Sequence, residues 1–352
     1  MKKSIFLILL CSAAVLAQSG GGPFTITKSV ISSGGGRSTS GNFSLEGTIG
    51  QSAPGKITGT GFELGSGFWG GGGGAPPISR ALFDYDGDGR ADLSVRRPSN
   101  NVWYLLRGTA GYTAMQFGVA GDRMAPADYD GDGKTDVAVF RPSTGTWHIH
   151  MSQSQTFLQF GWGQNGDLPV PTDRDNDGKT DLVIFRPSNN TWYTRFANGT
   201  FHQAVFGVAG DKPVRGDFDA DGIGDIALFR PSNNNWYIIK SSLGFFIQTW
   251  GQAGDTPTTG DFDGDGATDQ AVFTPSTGQW YLSQTNAGFS VRNWGQTGDV
   301  PVAADYDGDG KTDVAVFRPS NGTWYIVNST AGIRVQQFGQ EGDMPTQSAF
   351  NY

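Results

Sequence analysis

Six copies of one nine-residue pattern, spaced 44 residues apart except for a single step of 45, run through most of this chain of 352 residues. The copies are DYDGDGRAD (84–92), DYDGDGKTD (128–136), DRDNDGKTD (173–181), DFDADGIGD (217–225), DFDGDGATD (261–269) and DYDGDGKTD again (305–313). A fixed period of 20–50 residues is the mark of a solenoid, a propeller or an array, in which no unit buries its apolar face alone.

One unit, residues 301–343, reads PVAADYDGDGKTDVAVFRPSNGTWYIVNSTAGIRVQQFGQEGD. VAADY predicts a short strand that leads into the acidic loop. DVAVFR predicts a second strand, closed by the Pro-Ser-Asn-Gly chemistry of a hairpin turn. TWYIVNS and IRVQQFG complete four strands with no helical periodicity, the content of one propeller blade. The second strand is apolar without alternation, as expected when both faces are covered by neighbouring blades. The expected fold is all-β: a propeller of six four-stranded blades over residues 79–352. The stretch 344–352 copies the start of a seventh unit, with Ala349 where the first loop Asp belongs. It is expected to supply the inner strand of the first blade. The alternative is seven blades, one completed by strands from residues 18–69.

Four carboxylates in nine residues repel one another unless a cation gathers them. Oxygen donors at alternating positions of a tight loop suit Ca²⁺, which takes six to eight oxygens. The expected ligands are the carboxylates at positions one, three, five and nine and the backbone carbonyl at position seven. They are Asp84, Asp86, Asp88, Arg90 and Asp92; Asp128, Asp130, Asp132, Lys134 and Asp136; Asp173, Asp175, Asp177, Lys179 and Asp181. The second half supplies Asp217, Asp219, Asp221, Ile223 and Asp225; Asp261, Asp263, Asp265, Ala267 and Asp269; Asp305, Asp307, Asp309, Lys311 and Asp313. Position seven varies from Arg to Ile to Ala, which only a backbone ligand tolerates. Position six is Gly in every copy, as a sharp bend requires. An EF-hand would need a bidentate Glu at position twelve and flanking helices. Here that position is aliphatic (Val95, Val139, Ile184, Leu228, Val272, Val316) and lies in a strand. Mg²⁺ keeps its waters and seldom uses all-protein cages. About six Ca²⁺ ions are expected. At tenfold excess over its dissociation constant each contributes about 1.4 kcal/mol, or about 8 kcal/mol for six, against about 5–15 kcal/mol for an ordinary domain.

A second punctuation, aromatic-Gly-x-x-Gly-Asp, recurs at Phe117, Trp162, Phe206, Trp250, Trp294 and Phe338, ending on Asp122, Asp167, Asp211, Asp255, Asp299 and Asp343. Together with Asp-x-Asp-x-Asp-Gly-x-x-Asp it resembles the FG-GAP or VCBS-type repeat of integrin alpha-subunit propellers and many secreted bacterial proteins. The resemblance covers about three quarters of the chain and is specific for fold and metal, not for ligand. It implies ligand binding at the end of the propeller that carries the Gly-Asp turns.

The remaining segments bound the setting. Residues 1–17, MKKSIFLILLCSAAVLA, read as an export signal, with two lysines, an apolar run and a small-residue cleavage site. Lipidation at the single cysteine, Cys11, is not expected, because Leu10 precedes it. The mature chain then has no thiol chemistry and no disulfide. Residues 18–69 read as a small Gly/Ser-rich β module and 70–78 as a Gly/Pro linker. The net charge of −8 is concentrated: of 30 Asp, 24 lie in the loops and six in the Gly-Asp turns. No basic stripe offsets them, so nucleic acid is not an expected partner. No segment has the length of a transmembrane helix, and a secreted or cell-surface monomer is expected.

Catalysis is not expected. His148 and His150 share one strand face in one repeat only and read as surface residues. Glu46, Glu63 and Glu341 lack a partner carboxylate of the glycosidase kind, and no nucleophile elbow or P-loop is present. Two repeated features remain: an Arg-Pro-Ser turn (Arg97, Arg141, Arg186, Arg230, Arg318, with Thr274 in the fifth copy) and a Trp-Tyr pair (Trp147-His148 in the second). The Arg is expected to pair with the Gly-Asp aspartate and the Trp to pack between blades. The other reading is a repeated pocket in which Trp stacks on a sugar or peptide. The sequence thus points to a non-catalytic adhesion or recognition protein with a glycan or protein ligand. An extracellular polysaccharide-degrading enzyme, or an accessory module of one, is the alternative.

Overall fold

The computed structural model describes residues 81–352 and, ahead of them, the backbone of four short strands. Those four form two antiparallel hairpins, Gly36–Ser40 with Phe43–Gly47 and Gly55–Gly59 with Phe62–Ser66. The export-signal segment 1–17 and the linker 70–78 lie outside the described residues, apart from the chain's division into compact units at 76/77. Among the described residues no helix is long and apolar enough to cross a membrane.

Residues 81–352 fold into six four-stranded antiparallel sheets, one per repeat. Blade 6 is typical: Val300–Pro301, Val314–Arg318, Thr323–Asn328 and Gly332–Gln337 pair in chain order. The second strands are buried along four residues, as their unbroken apolar runs predict. Beside each lies a buried tryptophan, Trp103, Trp147, Trp192, Trp236, Trp280 or Trp324, at most 2% exposed. Five of these indoles donate Nε1–H to the carbonyl of the aromatic residue that opens the following Gly-Asp turn, at 2.8–3.1 Å. Burying so large a ring with its one polar atom satisfied fixes those five third strands onto the turns that follow them, while the Trp192 indole nitrogen is buried without a partner.

The inner strands are shorter than VAADY suggests. They span two or three residues in five blades and five in blade 5, Thr256–Gly260. Beyond them in blades 2, 3 and 6 one backbone bond, such as Val302 to the Ala315 carbonyl, and an isolated bridge, such as Ala304↔Asp313, join the chain to its neighbour. Proline occupies the second inner-strand position in five blades (Pro169, Pro213, Pro257, Pro301, Pro345). An inner strand is paired on one side only, so the missing N–H costs no ladder bond there.

The ring closes as a six-bladed structure. Met344–Pro345 pairs antiparallel with Leu93–Arg97 and so gives blade 1 its inner strand, with Pro345 opposite Val95. Residues 81–83, just before the first loop, form a turn and not an inner strand. A 3-10 turn, Thr346–Ser348, then leads the last residues across the axis. Asn351 donates its amide to the Pro301 carbonyl (3.1 Å), and the Tyr352 hydroxyl donates to the Pro169 carbonyl. Phe350 lies under the guanidinium of Arg215. An axial cavity of about 220 Å³ remains beside this plug.

Candidate functional site

At one end of the propeller the six acidic loops form a closed circle. The amide at position eight of each loop donates to the carbonyl of the first Asp of the preceding loop: Thr135 to Asp84, Thr180 to Asp128, Gly224 to Asp173, Thr268 to Asp217 and Thr312 to Asp261. Ala91 completes the circle by donating to Asp305 at 2.6 Å. The position-six glycines all have positive φ, from 81° to 90°, which L side chains rarely adopt. At position seven the side chains of Arg90, Lys134, Lys179 and Lys311 lie over the position-four glycine of the neighbouring loop. They point away from their own carboxylates.

Within each loop the four carboxylates have separate tasks. The first Asp caps the bend: Asp84 accepts from the amides of Gly87 (2.6 Å) and Gly89 (2.8 Å). The ninth Asp ties the loop to the blade. Asp92 accepts from the Tyr85 and Gly108 amides, both at 2.8 Å. The fifth Asp turns toward the position-seven amide, 2.8–3.0 Å away. In three loops its other oxygen accepts a serine hydroxyl from the far hairpin, as Asp132 does from Ser152. In five loops the third Asp bonds that hairpin with one oxygen only. Asp307 Oδ2 accepts from Thr330 and Ala331, while Oδ1 of Asp86, Asp219, Asp263 and Asp307 is buried with no hydrogen-bond partner.

The first, third and ninth carboxylates converge. In each of the first four loops one oxygen from each lies within 4.8 Å of the others, and in the fifth loop Asp261, Asp263 and Asp265 do so. Burial, together with the neighbouring carboxylates, pushes the ninth Asp up. Asp92, Asp136, Asp181 and Asp313 rise to about 7, and Asp225 and Asp269 to about 6. Several of these acidic clusters are therefore suited to hold a metal ion.

At the opposite end the Gly-Asp turns meet the Arg-Pro-Ser turns. Arg97, Arg141, Arg186, Arg230 and Arg318 grip Asp343, Asp122, Asp167, Asp211 and Asp299 with two hydrogen bonds each, at 2.7–2.9 Å. The arginines are therefore ion-pair partners, and the tryptophans of the Trp-Tyr pairs are core. Neither offers a free sugar-stacking face. His148 and His150 are half-buried, with His150 packed on Phe157, and do not lie on an open surface.

The side chains that do present aromatic faces were not singled out from the sequence. Tyr112, Phe157, Phe201, Phe245 and Phe289, on the outermost strands, are 60–71% exposed. Each packs on the aromatic residue that opens the Gly-Asp turn at its blade's border: Phe338, Phe117, Trp162, Phe206 and Trp250, at 5.1–6.4 Å between centroids. The signal was available, since these residues repeat with the same 44- to 45-residue period. The result is a belt of exposed rings, each packed on an aromatic residue at a blade border.

Comparison with known proteins agrees on the fold. The FG-GAP-like repeat family matches residues 84–139 and 261–316. Among solved structures, a streptogramin B lyase is 12% identical, with a TM-score of 0.51 over 76% of this chain and 86% of that one. An Agrocybe aegerita lectin, described as recognising non-reducing terminal N-acetylglucosamine, is 17% identical, with a TM-score of 0.48 over 70% of this chain and 76% of the lectin. At such identities the likeness is one of architecture. No curated protein matches the sequence. Two stretches of this chain match the FG-GAP-like repeat family, and the six-bladed propeller of six repeats is consistent with a fold of that type.

Proposed function

We propose that this chain is an exported propeller, stabilised by calcium, that recognises a glycan or protein ligand without transforming it. The third loop aspartate carries the calcium reading: in four loops its Oδ1 is buried and has no hydrogen-bond partner. A buried polar atom left unsatisfied costs about 1–3 kcal/mol, and more when charged. A hard cation beside the first, third and ninth carboxylates would supply that partner and offset their repulsion. Calcium, which takes all-oxygen shells in flexible geometry, suits the donors better than Mg²⁺ or a thiolate-seeking metal. The carboxylates of positions one, three and nine would hold it, with positions five and seven completing the shell. Its contribution is structural: it locks the loop circle at one end of every blade.

Recognition is supported by the belt of exposed aromatic pairs between blades, since apolar surface of this kind marks interaction sites. Rings with polar neighbours suit sugars and peptide side chains alike. The aspartates are engaged in loop architecture, in ion pairs or, at Asp255, in a bond from the Thr274 hydroxyl, which supports a binding role over acid–base catalysis. Export rests on residues 1–17. A glycan array and a peptide array, each probed with and without calcium, test this reading. Calcium-dependent binding to a discrete ligand class is expected. Absence of binding on both arrays, combined with reproducible hydrolysis of a polysaccharide that depends on a single carboxylate, would overturn it.

A further inference from the structure

Four of the six blades show in their own side chains what fits beside a Gly-Asp aspartate and a tyrosine ring. The guanidinium groups of Arg97, Arg186, Arg230 and Arg318 lie 4.1–4.3 Å over the rings of Tyr104, Tyr193, Tyr237 and Tyr325. Each also grips a buried aspartate with two hydrogen bonds. Blade 2 keeps the arginine and aspartate, Arg141 and Asp122, beside a histidine. Blade 5 keeps the aspartate and the tyrosine, Asp255 and Tyr281, but places Thr274 where the arginine belongs. The Thr274 hydroxyl donates to Asp255 Oδ1 at 2.6 Å. It reaches one oxygen where a guanidinium reaches two, and it brings no charge.

A cavity of about 250 Å³ opens in blade 5, lined by Trp250, Gly251, Gln252, Asp255, Tyr281 and Phe289. Its walls are fixed. Trp250 and Phe289 meet edge to face at 5.1 Å, and the Trp250 indole N–H donates to the Tyr281 carbonyl at 3.3 Å. Asp255 is 5% exposed, and its Oδ2 accepts the Gln252 amide at 2.8 Å. Among the described residues no cation pairs with this carboxylate. Three aromatic rings around a carboxylate attract a cation, and a planar guanidinium more than a compact ammonium. The volume lies below the roughly 300–1,000 Å³ of ordinary ligand pockets, so it suits the end of a side chain better than a saccharide chain.

We propose that the blade 5 cavity receives a guanidinium group from outside, the arginine side chain of a partner protein or peptide, in the place that the other blades fill with their own arginine. This rests on the reading of the propeller as a recognition protein and narrows one ligand to a cationic side chain. Calorimetric titration of the full chain in calcium with N-acetyl-arginine amide, and with the isosteric neutral N-acetyl-citrulline amide, tests it. Saturable binding of the arginine probe alone is expected. Thr274→Arg, which supplies the missing guanidinium internally, should weaken that binding at least about tenfold while melting no lower than wild type. Asp255→Asn should weaken it likewise and guards against a folding defect in the first variant. Equal binding of both probes, equal binding by Thr274→Arg and wild type, or no saturable binding to wild type overturns the proposal. Those results leave calcium-dependent melting and array binding intact, so failure here is distinct from failure of the wider reading.

Discussion

The two oxygens of Asp307 carry different burdens: Oδ2 holds the far hairpin through Thr330 and Ala331, and Oδ1 is buried without a partner. Asp307→Asn keeps the acceptor and replaces the bare oxygen with a donor facing the other loop carboxylates. In saturating calcium it should cost about 1–2 kcal/mol, one site's share of the linkage. In chelator the cost should shrink to that of the weakened Thr330 and Ala331 bonds, because no ion is then lost. A melting curve lowered equally under both conditions would show that the oxygen is not a metal ligand. The arginines make a second residue-scale test. Arg230→Ala leaves Asp211, with a wholly buried side chain, without its counter-ion and should cost about 3–5 kcal/mol. Thr274→Ala removes one hydrogen bond to a carboxylate and should cost about 2 kcal/mol. Comparable losses for the two would contradict the assignment of the five arginines as structural pairs. The sequence made this pairing legible because Arg and Asp recur in step. It could not show that a cavity opens beside Asp255 and Tyr281, since that depends on how far the turn and ring stand apart in space.

At the level of strands and loops, the apolar second strand, the loop bend and the turn order were all readable from period and residue type. Two things were not. The inner strands are shorter than their apolar letters suggest, because past Val300–Pro301 the pairing thins to single bonds and a bridge as the chain enters the acidic loop. The belt from Tyr112 to Phe289 went unnoticed because outer-strand residues alternate faces, and exposure is decided by what the next blade covers. The loops also carry a pH signature. Burial raises the ninth-position aspartates to about 6–7 in the metal-free fold. A carboxyl whose folded pKa lies above its unfolded value binds protons more tightly when folded, so stability rises as pH falls between the two. Without metal, the melting temperature should therefore climb from pH 8 toward pH 5. With saturating calcium it should fall over the same window, because protons compete for the ligands. Melting scans in chelator and in calcium check this, and parallel slopes would contradict it.

For the whole molecule, closure depends on nine C-terminal residues, 344–352, which give blade 1 its inner strand and span the axis to Pro301 and Pro169. Removing them leaves a strand edge open in blade 1 and should produce aggregation or a large loss of stability. Removing residues 18–75 should leave a monomeric propeller with its melting temperature unchanged, as followed by light scattering and calorimetry. The reverse pattern would mean that the N-terminal strands, not the tail, complete the ring. Six loops joined amide to carbonyl in one circle would make metal binding a property of the whole ring as well as of each blade. The most direct test is the melting temperature of the full chain in millimolar calcium against excess chelator at fixed pH. Six sites worth about 8 kcal/mol together, at about 2–4 °C per kcal/mol for a domain of this size, predict a drop on the order of 20 °C. An unchanged melting curve would contradict the account.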